Sequence, residues 1–298
     1  MQRIVLSSVC LILSTSCTFF KDPPPEAPSN LEELCQYIFT HMMDEDTTEL
    51  QAGITNLDTW LNTDDNLSLT IEGYQVDNLP DEAVANLDDV ERSIQDSLVG
   101  AAVSYEHTHN SDQLTQTQFV DDWAKVSEGT YECYERIYDN DADPSCLIDG
   151  SCDQVTYQTT SVSKWAGSLL IVESQNTGQI RRIDTEYGPV LLQRTWLNEP
   201  AATSGTFGEQ VNLHAQYFIN ITGMTSSGKL LRTTTTWIDS EYGSLDEVFD
   251  EDWAKNKIVE TMQDQNQILI DWIDGEQAAE GTCLCSEFDY DEMSCPEE

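Results

Sequence analysis

Hydrophobic residues return every three or four positions along three segments between residues 31 and 96, which is the spacing of one face of an α-helix. Asn30 or Ser29 can cap the first helix, and Thr47 or Thr48 begins the second. The apolar stripes are Leu31, Leu34, Cys35, Ile38, Phe39 and Met42; Leu50, Ile54, Leu57 and Leu61; and Val84, Leu87, Val90 and Ile94. The pattern therefore predicts an N-terminal helical cap over 31–96.

After residue 97 the pattern changes to the alternation that is typical of β-strands, as in Val99 to Tyr105. A helix is predicted over 111–126, and the last element is a long helix over 246–273. Between them, strands are predicted near 130–139, 153–162, 166–174, 178–187, 189–198, 210–222 and 229–240, with turn residues such as Asn176-Thr177-Gly178 between runs. The long helix cannot bury its apolar stripe alone, so it must lie across the sheet.

These elements predict an α+β fold, in which an antiparallel sheet of about seven or eight strands packs on the long C-terminal helix. We expect a single α+β domain over 31–281, with the cap at 31–96 and the sheet plus closing helix at 97–281. A Cys-containing acidic tail follows at 282–298.

The order of a strand, a helix, a run of antiparallel strands and a long final helix resembles the START-like, or helix-grip, family. The residues that carry the resemblance are Val99 to Tyr105, the helix around Phe119 and Trp123, the strands from Tyr131 to Trp237, and the helix from Val248 to Trp272. The resemblance implies a curved sheet that wraps the last helix and leaves an apolar cavity between them. From the predicted facing, we expect this cavity to be lined by Trp196, Tyr217, Trp237, Trp253 and Met262, although core packing is the alternative role for the tryptophans.

The first residues have the composition of an export signal, with one early positive charge and a short apolar run. This run is too short to span a bilayer as a mature helix. Small residues directly before Cys17 predict cleavage there and lipid attachment to Cys17, so the segment resembles a bacterial lipoprotein signal. We expect a signal peptide at 1–16 and a lipidated Pro-rich tether at 17–30. The sequence thus predicts a location in the cell envelope, at the outer membrane or cell surface, with the membrane as a partner through the lipid anchor.

Acidic residues dominate the charge: 55 Asp and Glu face 13 Lys and Arg in 298 residues, for a formal net charge of −42. Such a chain is repelled by nucleic acid, so no nucleic-acid partner is expected. The acid excess is either a surface for cations or a basic partner, or a solvated surface suited to a salty medium. In these features the chain also resembles uncharacterised acidic lipoproteins of bacteria, which implies no activity.

Seven of the nine cysteines remain after the signal and the lipid site are set aside. An exported protein meets an oxidising compartment, so disulfides are expected. Cys146 and Cys152 bracket a short loop and are the best intrachain pair. Cys283 and Cys285 are too close to pair with each other, so one of them, with Cys285 as the candidate, is expected to bond Cys295. Since seven is odd, one thiol is free or pairs with another chain.

A calcium loop is the candidate metal site, because Asp139-x-Asp141-x-Asp143 places hard oxygens two residues apart. Asp149 can complete the set. The alternative interpretation of these residues is a solvated acidic loop. No cofactor is required by any motif in the chain, and calcium is the one ion that the pattern favours.

The leading hypothesis on function is a non-catalytic envelope protein that holds a small apolar ligand between the sheet and the C-terminal helix. One alternative is a structural or protein-interaction lipoprotein with a filled core and an unknown partner. A third is a hydrolase that uses carboxylates. A continuous pocket would favour the ligand-binding hypothesis. A filled interior with an exposed apolar patch would favour the structural or interaction hypothesis. Clustered titratable groups with shifted pKa values would favour the hydrolase.

Overall fold

In a computed structural model, the described residues are 26–85, 87, 98–127, 130–165, 170–206, 211–241, 251–275, 282–290 and 293–296. The predicted signal peptide, Cys17 and the tether up to residue 25 lie outside the described residues. So do Val90 and Ile94 of the third predicted helix, and residues 246–250, where the last helix is predicted to begin. Among the helices that are described, none has the length and apolar character needed to cross a membrane.

The described part of the chain forms an antiparallel sheet of nine strands. The strands are β1 (Tyr74–Val76), β2 (Val99–His107), β3 (Tyr131–Tyr138), β4 (Gln154–Trp165), β5 (Leu170–Thr185), β6 (Gly188–Leu197), β7 (Ala202–Ser204), β8 (Asn212–Met224) and β9 (Leu230–Glu241). Their order is β1-β2-β9-β8-β6-β5-β4-β3, and β7 pairs with β5. The two strands beyond the predicted number have three residues each.

The helices of the described residues are α1 (Leu31–His41), α2 (Thr48–Leu61), α3 (Asp64–Glu72), α4 (Asp81–Ala85), α5 (Ser111–Gln116), α6 (Cys146–Asp149) and α7 (Glu251–Ile273). A large antiparallel sheet with a long C-terminal helix is the predicted α+β class, and that prediction is confirmed.

The helices α1 to α4 cover one face of the sheet, which we call the cap face. The side-chain oxygen of Asn30 accepts a hydrogen bond from the Glu33 N–H, so Asn30 caps α1 as predicted. The apolar stripes predicted for the first two helices are buried in a single cluster with Trp196, Tyr217 and Trp237 of the sheet. The end of the tether is fixed to the same layer, because the Asn56 amide donates to the carbonyls of residues 27 and 28.

Two arginines of the sheet join the end of α1 to the cap face. The guanidinium of Arg181 donates to the carbonyls of Met42 and Asp44, and that of Arg194 donates to the carbonyl of Phe39. These oxygens belong to the last turn of α1 and the residues that follow it, where a helix leaves carbonyls without partners. Both arginines are buried, so they satisfy the helix end inside the core.

The long helix α7 lies on the opposite face, which we call the cavity face. Its Ile258 and Met262 pack against Ala101 and Val103 of β2. About two turns after Met262, Leu269 of the same helix joins a cluster with Leu114, Val126 and Leu230. The helix therefore covers the β2–β9 side of the sheet and leaves the β3–β6 side to other elements.

Two local predictions are wrong. The residues 176–178, predicted as a turn, continue β5 without interruption from Leu170 to Thr185. Gly178 is needed there because a Cβ atom would lie 2.1 Å from the Tyr157 ring, so the glycine makes room for an aromatic side chain rather than for a turn. The helix predicted over 111–126 ends at Gln116 and continues as two short 3₁₀ turns, since Val120 between them is extended.

Three disulfides hold the outer elements. Cys146 pairs with Cys152 as predicted. The partner of Cys295 is Cys283, while Cys285 pairs with Cys133 of β3 across 152 residues of sequence. The described cysteine without a disulfide is Cys35 in the cap layer, where burial raises the pKa of its thiol to about 12. The odd thiol is thus buried and protonated.

Candidate functional site

A cavity of about 870 Å³ lies between the cavity face of the sheet and α7. This volume is in the range of sites that take small organic molecules. The sheet lines it with hydroxyl and amide side chains and a few apolar ones, among them Thr159, Ser161, Ser163, Val172, Ser174, Asn176, Gln193, Thr195, Gln216, Phe218, Thr236 and Ile238. The helix α7 contributes Ala254, Lys257, Ile258, Thr261, Met262 and Gln265. The wall is therefore of mixed polarity.

Strand register explains which residues reach the cavity. Thr195, Phe218 and Thr236 are direct neighbours across β6, β8 and β9, and all three line it. The next row along the same strands points to the other side, because successive side chains of a strand alternate between faces. Since the cavity face is rich in Thr, Ser, Gln and Asn, the alternation there is between apolar and neutral polar residues.

Arg136 lines the cavity from β3 and is held by neutral groups. Its guanidinium donates to the Gln118 carbonyl at 2.8 Å and to the Tyr134 hydroxyl at 2.9 Å. It also lies over the ring of Tyr157, 4.5 Å from the ring centre. Its Nε atom is buried without a hydrogen-bond partner. A guanidinium has five N–H groups, so beyond the two described hydrogen bonds Arg136 has N–H groups that can donate to a bound molecule.

Tyr157 forms the base on which Arg136 rests. Its ring fits over Gly178 of the neighbouring strand, and its hydroxyl accepts a hydrogen bond from the Gln193 amide. Burial raises the pKa of the Tyr157 hydroxyl to about 12. The ring is therefore uncharged at neutral pH, and it interacts with Arg136 through its π face rather than as an anion.

Arg232 lines the cavity from β9 and is more than nine-tenths buried, with 9% of its surface exposed. It donates to the amide oxygens of Asn220 and Asn266, each at 3.2 Å. Burial lowers the pKa of Arg232 to about 10, so the side chain stays charged at neutral pH. Burial, and then the charge of Arg232, lower the pKa of the nearby His107 to about 4, which leaves that imidazole neutral.

Gln118 connects the surroundings of the two arginines. Its backbone carbonyl accepts the hydrogen bond from Arg136, and its side-chain amide donates to the Thr222 hydroxyl at 3.2 Å. Thr222 is in turn the direct strand partner of Arg232. The 3₁₀ turn that contains Gln118 therefore brings β3 and the β8–β9 pair together at this end of the cavity.

The charge of the cavity wall is opposite in sign to that of the whole chain, whose formal net charge is −42. Among the described residues that line the cavity, those of the charged types Asp, Glu, Lys and Arg are Asp77, Arg136, Arg232 and Lys257. Lys257 is paired with Glu260 of the same helix. Within the described part of the chain, neither arginine has a carboxylate at ion-pair distance; the described ion pairs of Lys and Arg involve other residues.

No family model matches the chain, and no curated protein matches it. Solved structures similar to it include a conserved protein from Geobacillus kaustophilus, with 11% identity over 60% of this chain and 96% of that one, at a TM-score of 0.31. Human STARD10 is similar at 8% identity over 63% and 75%, with a TM-score of 0.33. Norcoclaurine synthase from Thalictrum flavum is similar at 12% identity over 55% and 88%, with a TM-score of 0.28. All three TM-scores are below 0.5.

Of the five residues predicted to line a pocket, the structure brings Met262 to the cavity. Trp196, Tyr217 and Trp237 form the next row of the sheet and lie on the cap face, where Tyr217 and Trp237 meet the ring of Phe39 edge-on. The alternation was predicted correctly, but both faces of the sheet are covered, so alternation alone does not tell which face is the cavity. Trp253 on α7 is half-buried and is outside the cavity lining.

Two of the predicted calcium ligands take part in local hydrogen bonds. The carboxylates of Asp143 and Asp149 are exposed and accept hydrogen bonds from the Ser145 and Ser151 N–H groups, which lower the pKa of both. In the described part of the chain, the one group of three side chains close enough to share an ion is His41, Asp44 and Glu49 on the cap layer. Calcium at Asp139, Asp141, Asp143 and Asp149 stays a prediction.

The residues that give the cavity its character were missed at the level of sequence. Arg136, Arg232 and Gln118 belong to no motif, and their roles depend on strands that are distant in sequence. One signal was present: Arg232 stands in the run Leu230 to Trp237, whose other members are apolar or Thr. A lone arginine in a buried strand needs partners inside the protein or a ligand.

Proposed function

We propose that this chain is an exported, lipid-anchored, non-catalytic protein of the cell envelope that holds a small molecule with an apolar part between its sheet and α7. The single observation that carries the binding role is the cavity of about 870 Å³. A protein with a purely structural role has no need for a recess of this size between its sheet and its helix, since packed elements of a protein normally fill such space.

The composition of the wall favours binding over hydrolysis. Among the described residues that line the cavity there is one carboxylate, Asp77. Glycoside hydrolysis, for example, uses two such groups with different protonation states around the reacting bond. Neutral hydroxyl and amide groups can instead orient a bound molecule by hydrogen bonds while the apolar side chains contact its hydrocarbon part.

The envelope role rests on the sequence of the first residues and on the disulfides. The predicted signal peptide ends at residue 16, and lipid attachment to Cys17 would anchor the protein. Three disulfides are formed by six of the described cysteines. Such bonds persist in oxidising compartments, which supports export.

Native mass spectrometry of the protein purified from its own membrane tests both parts of the proposal. We expect a chain that lacks residues 1–16 and carries an acyl mass, together with a small molecule that is lost on denaturation. A Cys17→Ala variant should lose the acyl mass and the membrane association while the fold is retained. Recovery of the protein from the cytosol with Met1 in place would overturn the envelope role, and failure to retain or bind any small molecule would overturn the binding role.

A further inference from the structure

The two arginines of the cavity, Arg136 and Arg232, place positive charge in the wall of a cavity in a chain that is strongly acidic as a whole. Fifty-five carboxylates are available in the sequence, yet within the described residues none pairs with Arg136 or Arg232. Arg232 is buried and Arg136 is partly buried. A charge withdrawn from water without a counter-charge lowers stability, because its hydration is lost without an equal return. Their position in the wall of a cavity leaves them open to a counter-charge on a bound molecule.

The arginines of the cap face likewise have no described carboxylate partner, but they bond a helix end and do not line the cavity. Arg181 and Arg194 donate hydrogen bonds to the carbonyls at the C-terminal end of α1, which would otherwise lack partners. The described hydrogen bonds of Arg136 go to one carbonyl and one hydroxyl oxygen, and those of Arg232 go to two amide oxygens. Two of the five N–H groups of each guanidinium are used in this way.

Hydrocarbon surface lies in the same cavity. Phe218, Ile238, Ile258 and Met262 line it from β8, β9 and α7, and Val172 lines it from β5. The wall therefore offers positive charge and apolar contact together. A molecule that satisfies both has an anionic group at one end and a hydrocarbon body.

We propose that the cavity takes a small amphipathic organic acid, whose carboxylate is held by Arg136 in the field of Arg232 and whose hydrocarbon part contacts Phe218 and Met262. This inference rests on the proposed binding function. Arginine suits the role because its planar fork matches a carboxylate and it stays charged when buried. The hydroxyl and amide groups of the wall then complete the hydrogen bonds of the second carboxylate oxygen.

Three probes with the same ten-carbon chain test the proposal on the unaltered full chain: decanoate, decanol and decylammonium. Binding is measured by titration calorimetry at high salt, because salt screens the acidic surface and suppresses adsorption of the probes to it. We expect decanoate to bind at least about tenfold more tightly than decanol, as a charge-assisted hydrogen bond predicts, and decylammonium to bind most weakly. The long-range field of a chain with a formal net charge of −42 favours the opposite order, so the result reports on the cavity.

An Arg136→Gln variant should lose the preference for decanoate and keep its affinity for decanol. Lys229→Gln, which removes one positive charge from the ion pair with Glu106 outside the cavity lining, is the matched control and should keep the preference. Equal binding of the three probes by the unaltered chain would overturn the acid as ligand and leave the binding function standing. Absence of binding by all three would overturn both, and a preference that survives in a folded Arg136→Gln protein would overturn the role of Arg136.

Discussion

The two faces of the sheet carry the same kind of residue for different purposes. On the cap face, Arg181 and Arg194 are buried against the end of α1 and donate to its carbonyls. On the cavity face, Arg136 and Arg232 are held by a few neutral oxygens and border an open volume. The cap face is thus filled by the chain itself, whereas the cavity face leaves an open volume beside its arginines.

This difference separates residues that stabilise the fold from residues that are available for function. Each strand of the centre of the sheet contributes to both, because its side chains alternate between faces. A substitution at one position should therefore act mainly on stability, and a substitution at the next position mainly on binding. Neighbouring residues of one strand are the natural controls for each other.

The largest effect is expected from Tyr217→Ala compared with Phe218→Ala. Tyr217 is 1% exposed in the cap-face core, so its loss leaves a cavity among packed side chains and should lower the free energy of unfolding by about 3–5 kcal/mol. Phe218 borders a space that already exists, and its loss should cost less than half as much. Urea unfolding of both variants measures the difference. Equal costs would contradict the division between the faces.

Gly178→Ala should cost about 1–3 kcal/mol, because the added Cβ would lie 2.1 Å from the Tyr157 ring and the packed ring must move. The same change made in a Tyr157→Ala background should cost much less, since the clash is then gone. Thermal or urea unfolding of the four proteins gives the coupling between the two positions. Additive effects would show that the two side chains do not constrain each other.

Arg194→Gln and Arg232→Gln compare the two kinds of buried arginine. Removal of Arg194 leaves the Phe39 carbonyl without its donor and should cost about 1–2 kcal/mol. Arg194 lies in the field of the Asp44 carboxylate, whereas Arg232 has no described carboxylate that offsets its buried charge. Removal of Arg232 takes away that charge but leaves the amide oxygens of Asn220 and Asn266 without their donor, so without ligand the free energy of unfolding should fall by less than about 1 kcal/mol or rise. Urea unfolding without ligand tests this. A larger loss for Arg232→Gln would mean that Arg232 is a structural residue.

The smallest effect concerns His107, whose pKa is lowered from 6.5 to about 4 by burial and then by Arg232. Below pH 6.5 the His107 imidazole binds a proton in the unfolded chain but not in the folded chain. Its contribution to the free energy of unfolding is therefore fully present above pH 6.5 and is lost as the pH falls toward 4. Between pH 7 and 5.5 the loss should be about 1 kcal/mol. His107→Gln should remove this part of the pH dependence; an unchanged dependence would place the titration elsewhere.

Periodicity predicted the framework because it reflects one-sided burial. The stripes of α1 and α2, the alternation of β8 and the long final helix all follow from residues whose partners need not be known. The prediction failed at Gly178, which looks like a turn residue in the sequence but makes room for an aromatic ring from β4. Such a reason is invisible until the strand pairing is known.

The site was less predictable than the fold for the same reason. The sequence favoured aromatic residues as the lining, and Trp196, Tyr217 and Trp237 proved to lie under the helical cap. The arginines of the cavity come from β3 and β9. Gln118 links their surroundings, because it contacts Arg136 and also Thr222, the strand partner of Arg232. A contact between elements that are about 100 residues apart leaves no local pattern.

The attachment of the tail to β3 has a consequence for how the protein behaves among its own copies. β3 is the last strand of the sheet, and Cys283 lies beside Cys133 on it while the Cys133–Cys285 bond fixes the tail there. The unpaired backbone groups of an outermost strand are a template for pairing with another molecule. The tail occupies part of that template by covalent attachment, so a reducing agent would do more than loosen the C-terminus: it would free an edge at which chains can join and aggregate.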